Sequence, residues 1–251
     1  MIPALLRGKL SREQENMEDV LTSSVFGQLQ HIPASLGLAR WLNLAVTVVG
    51  PPESRVPSTI VAAEYTFWPW LSTPGSPGAE PDVVIQARDE CERQHLIVVE
   101  AKYRSGKSSE EDPEVEHPAD QLARQWHCIA AELPGGTTAH LVYLTADFGP
   151  PVDAILASGR EFAGKCPSLA ATRPFSCHWL SWRHLVPAFD KSQESALREL
   201  CQLARRLDLC FFSGVTALNP ADGVDWRFER SVVGFEYPAL ESGFATWRFA
   251  S

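Results

Sequence analysis

Pro81-Asp82-Val83-Val84-Ile85-Gln86 and Leu96-Ile97-Val98-Val99-Glu100-Ala101-Lys102 are two apolar, β-branched runs, and each carries an acid at one end. Runs this short and this rich in valine and isoleucine read as strands. The connection between them, from Arg88 to Gln94, is polar and brief, which favours a hairpin. An acid inside an apolar run is costly to bury unless it is paired or holds a cation. Alternation along a strand turns Glu100 and Lys102 to one face. Two carboxylates and an amine on neighbouring strands are the parts of a Mg²⁺ site suited to phosphodiester hydrolysis.

Upstream, Ser11-Arg12-Glu13-Gln14 has the form of a capping box, and a helix should follow through about Leu29. Met17, Val20, Leu21, Val25 and Leu29 recur at near-helical spacing and give it a buried face. Pro33 ends it, and a second helix is expected over Ala34 to Leu44. Pro51 to Pro57 reads as a loop, and Ile60 to Leu71 as a strand that Pro69 ends or confines to an edge. Ser72 to Gly78 is a turn. Downstream, Tyr103 to Pro118 is strongly polar, acidic from Glu110 to Glu116, and is expected to be a flexible, solvated loop. A helix starting at Pro118 or Asp120 runs to about Leu133, before Pro134-Gly135-Gly136. Ala139 to Thr145 and Cys177 to Trp182 read as strands and Arg183 to Phe189 as a short helix. Ser192 to Phe212 reads as an amphipathic helix striped by Leu197, Leu200, Leu203, Leu207 and Phe211. The expected class is α/β: a mixed central sheet flanked by helices, with a C-terminal helical extension.

With Pro81-Asp82 on one strand and Glu100-Ala101-Lys102 on the next, 18 positions on, the chain resembles the PD-(D/E)xK nuclease superfamily. The resemblance covers roughly Glu13 to Thr145 and implies the restriction-endonuclease-like αβββαβ core. It implies that Asp82 and Glu100 hold Mg²⁺, for which Mn²⁺ can substitute, with the Ala101 carbonyl as a further ligand. Lys102 would orient the attacking water or stabilise charge on the phosphate. The family often has a glutamate on the first helix; Glu18 is preferred here as an additional metal ligand, with Glu15 one turn away. It also often has a glutamine on the helix after the third strand. Gln121 fits that position best, with Arg124 and Gln125 as the alternatives that could instead face the substrate. DNA is the implied substrate and prokaryotic restriction or anti-phage defence the implied setting. The rival is a catalytically silent subunit of the same fold that serves binding or assembly. Residues 11–188 would form the nuclease-like domain, and residues 189–251 a helix and aromatic-rich extension packed on it or on a partner.

The chain has 251 residues, 45% of them hydrophobic, enough for one sizeable domain. No run approaches the roughly 18 apolar residues of a membrane-spanning helix, so no membrane partner is expected. The first ten residues lack the basic lead and long apolar core of a secretory signal. The six cysteines include no C-x-x-C pair and read as free thiols, so a cytoplasmic setting is expected. A zinc site on Cys177 and His178 lacks a second ligand pair. The net charge of −9 argues against strong independent DNA affinity and for a protein partner or homo-oligomer that supplies grip. Trp68, Trp70, Trp179 and Trp182 can stack on bases, but aromatics in strands are more often core. His178 and His184 read as satisfied structural histidines.

Overall fold

The two runs quoted above pair as an antiparallel hairpin, Val83 opposite Val99 and Arg88 opposite Gln94. In the computed structural model, residues 18–211 apart from Gly75 are described. In chain order the elements are α1 (Glu18–Leu29), α2 (Leu38–Leu42), β1 (Val46–Val49), β2 (Ala62–Phe67), β3 (Val83–Arg88) and β4 (Gln94–Ala101). They continue with α3 (Gln121–Glu132), β5 (Thr137–Thr145), α4 (Val152–Lys165), α5 (Pro167–Thr172), β6 (Cys177–Ser181), α6 (Leu185–Phe189) and α7 (Ser195–Arg206). The strands form one open six-stranded sheet in the order β1-β6-β5-β4-β3-β2. β2, β3 and β4 are an antiparallel meander, β4, β5 and β6 run parallel, and β1 closes the far edge antiparallel to β6.

Helices cover both faces, so the central strands are buried on both sides and read as continuous apolar runs. Leu21, Val25 and Phe26 of α1, Trp41 of α2, Phe189 of α6 and Leu200 of α7 pack on the face made by Ile85, Ile97, Val99, Val142 and Leu180. Leu122, Trp126 and Ile129 of α3, with Ile155 and Phe162 of α4, cover the face made by Val84, Val98 and Leu141. Helix α3 starts where the Asp120 carboxylate accepts hydrogen bonds from the N–H groups of Leu122 and Ala123, a side-chain N-cap.

The structure differs from the sequence expectations at several elements. The second helix is a single turn, Leu38–Leu42, and the first strand is trimmed to Ala62–Phe67, because Trp68 takes a left-handed backbone at φ 48°. The final helix stops at Arg206, and Asp208 at φ 58° turns the chain away. β1, α4 and α5 were not expected. The helix α7 packs against α6 and α1, inside the unit that holds the sheet. No described helix is long and apolar enough to cross a membrane. The capping box, Met17, Glu15 and the aromatic-rich extension from Phe212 lie outside the described residues.

Candidate functional site

The register that sets Val83 against Val99 carries Asp82, one residue before β3, to the level of Glu100 near the end of β4. The Asp82 Oδ2 accepts the Ala101 N–H at 2.7 Å, which fixes the carboxylate across the strand end. Glu100 is buried, and three donors meet it. The Gln121 Nε2 donates to its Oε1 at 2.5 Å, the Gln125 amide donates to its Oε2, and the Lys102 ammonium lies 2.6 Å from Oε1. Positions 121 and 125 are one helical turn apart on α3, so both carboxamides project toward the same carboxylate.

Lys102 follows the last residue of β4 and is only 7% exposed. Its N–H donates to the Leu144 carbonyl at 2.7 Å and its own carbonyl accepts the Trp182 indole N–H at 3.2 Å. That indole is fully buried against Trp41 and Phe26, so the aromatic core holds the backbone that carries the lysine. The ammonium also donates to the Glu18 Oε1 at 3.2 Å. Glu18, at the start of α1, accepts the Tyr103 N–H and the Ser105 hydroxyl on its other oxygen, each at 2.7 Å. Glu18, Asp82, Glu100, Lys102 and Gln121 therefore stand together, from two helices and two strands.

Burial, and then repulsion from Glu100, pushes the Asp82 carboxyl up to about 7. Burial also raises Glu100 above the usual carboxylate range, against the pull of Lys102 and the Gln125 hydrogen bond. Burial alone would lower Lys102, but the Glu100 carboxylate, then Glu18, reverse that and hold its pKa above the usual lysine value. Lys102 is thus kept as an ammonium, a donor and not a base.

Among the described residues, no three His, Cys, Asp or Glu side chains assemble into a group that could hold a metal ion. The Asp82–Glu100 pair nevertheless fits a hard divalent cation. Its donors are carboxylate oxygens, and the two acids disfavour each other's charge, which a cation relieves. Glu100 has about four lone-pair sites, of which three are taken. Mg²⁺ needs only one or two protein carboxylates when waters and phosphates complete its shell.

Sequence reasoning left Gln125 as an alternative to Gln121, whereas both hold Glu100; their four-residue spacing was the available signal. The Tyr103 N–H and Ser105 contacts to Glu18 had no sequence signal. Arg124 donates to the Ala119 carbonyl at 3.0 Å and braces the loop before α3. That loop has no regular structure and its acids Glu110 to Glu116 are exposed, yet it is anchored. Lys107 pairs with Asp120, the Ser108 N–H reaches Gln121 at 2.8 Å, and Lys165 reaches the Val115 carbonyl at 2.8 Å. Trp179 and Trp182 are core, whereas Trp68 and Trp70 are 39% and 64% exposed. Cys177 and His178 are adjacent on β6 and point to opposite faces, so they do not share an ion. His184 accepts the Ser181 N–H at 3.1 Å.

Comparison with family models, with curated proteins and with solved structures finds no match to this chain.

Proposed function

We propose that this chain is a metal-dependent nuclease of the PD-(D/E)xK type, built on the restriction-endonuclease-like fold and hydrolysing DNA phosphodiester bonds. The observation that carries this reading is the meeting of Asp82, Glu100 and Lys102 at the ends of β3 and β4, with Glu18 and Gln121 closing around them. The succession of α1, β2, β3, β4, α3 and β5, with α2 and β1 inserted between α1 and β2, supports it by its likeness to the αβββαβ core of that fold. Bound at Asp82 and Glu100, with the Ala101 carbonyl as a further ligand, Mg²⁺ or Mn²⁺ would polarise the phosphate and acidify a water. The chain's own part is positional. Gln121 and Gln125 hold Glu100, Glu18 steadies Lys102, and the Lys102 ammonium donates to the phosphate oxygen on which charge develops. The water oxygen bonds to phosphorus as the bond to one sugar oxygen breaks.

The test is cleavage of supercoiled and linear DNA with Mg²⁺, Mn²⁺ or EDTA. Metal-dependent cleavage by wild type should fall by about 100-fold or more in Lys102→Ala, the loss typical of removing one transition-state donor. Unchanged cleavage in that variant refutes the assignment. The acidic balance supports work within a larger assembly, as a prokaryotic defence nuclease would do, with a protein partner or second copy adding DNA grip. A second reading, a silent subunit for binding or assembly, draws on one observation: Lys102 and Glu100 already neutralise each other at 2.6 Å. A folded protein that takes up no Mn²⁺ favours it.

A further inference from the structure

β4, β5 and β6 are parallel, so their carboxyl ends open on one side of the molecule. Open α/β sheets bind ligands outside those ends. A cavity of about 500 Å³ lies there, bounded by Lys102 and Arg104 after β4, Asp147 and Phe148 after β5, Arg183 after β6 and Asp208 after α7. Its volume falls within the roughly 300–1,000 Å³ of small-ligand clefts. It is the size of a nucleotide and not of a base-paired duplex.

Two arginines in its wall each cover one aromatic ring. Arg183 lies over the Phe148 ring at 3.8 Å, and Arg104 over the Tyr103 ring at 5.1 Å. The Arg183 guanidinium is not a loose surface cation. It donates to the carbonyls of Ala146 at 2.9 Å, Asp208 at 2.8 Å and Cys210 at 2.7 Å. Phe148 is held by that cation and by an edge contact to Phe211 at 6.5 Å, yet it remains 65% exposed. Arg104 and Asp208 both take left-handed backbone, at φ 62° and 58°. The Arg104 conformation is costly for a side chain of this kind and such conformations gather at binding sites, whereas Asp208 takes the left-handed turn common after a helix end. Both signs of charge line the strand ends. Lys102, paired with Glu100 and Glu18, and Arg104 stand at the β4 end, while Arg183 stands with Asp147 and Asp208 toward β5, β6 and beyond. A phosphate meets Lys102 and Arg104 at the first end and Asp147 and Asp208 at the second. The acids there offer acceptors to exocyclic amino groups of a base.

We infer that this cavity is a subsite for one unpaired nucleotide next to the cleaved phosphate, its base stacked at Phe148 and Arg183 and its phosphate toward Lys102 and Arg104. The inference rests on the nuclease reading and narrows its substrate to single-stranded or locally unpaired DNA. Stacking on aromatic and arginine planes is how unpaired bases are held without sequence readout.

The experiment is fluorescence anisotropy at low salt in EDTA, so that binding is read without turnover. The probes are a labelled oligonucleotide, single-stranded or annealed to its complement, and a free mononucleotide as competitor. Wild type should bind the single strand more tightly than the duplex. Phe148→Ala should weaken single-strand binding roughly 5- to 150-fold, the loss of one base–aromatic stack, and leave duplex binding in place. Arg104→Asn, which keeps a residue tolerant of positive φ, should weaken it and flatten its salt dependence. Equal binding of strand and duplex, indifference to Phe148→Ala, no binding of either DNA, or no competition by excess mononucleotide each overturns the subsite. The nuclease reading fails separately. Phe148-dependent strand binding with no cleavage under any metal refutes the nuclease and keeps the subsite. Cleavage with Phe148-independent binding does the reverse.

Discussion

Below about pH 7, Asp82 holds a proton that a cation must displace. Mn²⁺ affinity should therefore strengthen as pH rises through 7 and level off above it. Calorimetry in buffers of different ionisation enthalpy should record about one proton released per ion at pH 6, and Asp82→Asn should abolish that release. The sign for stability is opposite. A carboxyl raised from 3.8 to about 7 favours the fold below pH 3.8, and that contribution is lost as pH climbs through 7. At Glu100, Gln125→Leu deletes the donor to Oε2 and leaves part of a buried carboxylate unsatisfied. The expected loss is about 1–3 kcal/mol in urea unfolding. An unchanged midpoint would mean that water replaces the amide.

Between elements, β4, β5 and β6 carry a row of buried histidines at the end opposite the carboxylates. His95 and His140 meet at 3.1 Å through their inner nitrogens, and the His140 and His178 rings lie 5.5 Å apart. The outer nitrogens of His95 and His140 face Asp89 and the Ser54 carbonyl, which only accept. Burial opposes ionisation of Asp89, yet hydrogen bonds from the Arg93 backbone and side chain, His95 and the Cys91 backbone lower its carboxyl to about 2. Burial lowers His140 to about 3 and His178 to about 4, and neighbouring histidines add to the effect at His140. The unfolded chain takes up protons near pH 6.5 that these two native rings refuse, so they cost no stability above that pH. Their contribution falls from pH 6.5 toward pH 4, opposite in sign to that of Asp82, so the thermal midpoint of His178→Gln should rise relative to wild type as pH is lowered across that range. At α3, Asp120→Ala removes the N-cap and the partner of Lys107 together. The expected cost is about 1–2 kcal/mol in chemical denaturation. The apolar runs of β3, β4 and β5 and the Asp120 start of α3 were legible because burial on both faces and a capping side chain leave marks in sequence. β1 was not, because four residues paired to a single strand, two of them exposed, carry no pattern. Helix α4 hid behind Ser158, Gly159 and Gly164, poor helix formers, with only Ile155 and Phe162 as buried apolar residues. At the site, the residues on strands were legible, whereas the backbone N–H of Tyr103 and the loop hydroxyl of Ser105 depend on a chain path that no residue type announces.

For the molecule as a whole, a net charge of −9 makes phosphate approach unfavourable except where cations gather locally. DNA affinity should therefore fall only gently with salt, because few phosphates are contacted and salt also screens the repulsion by the chain's own negative charge. Many metal sites hold their acids apart only while the ion is present, so chelation unfolds them. Glu100 is arranged otherwise. Two carboxamides and an ammonium give it, inside the protein, the coordination that water gives an acid outside. EDTA should leave the thermal midpoint of this protein unchanged, and a fall of several degrees would refute that. The helix that follows the hairpin thus acts as a built-in solvent for Glu100. On the proposed reading the chain waits folded and ion-free, and uptake of a cation would be an exchange of partners instead of a step in folding.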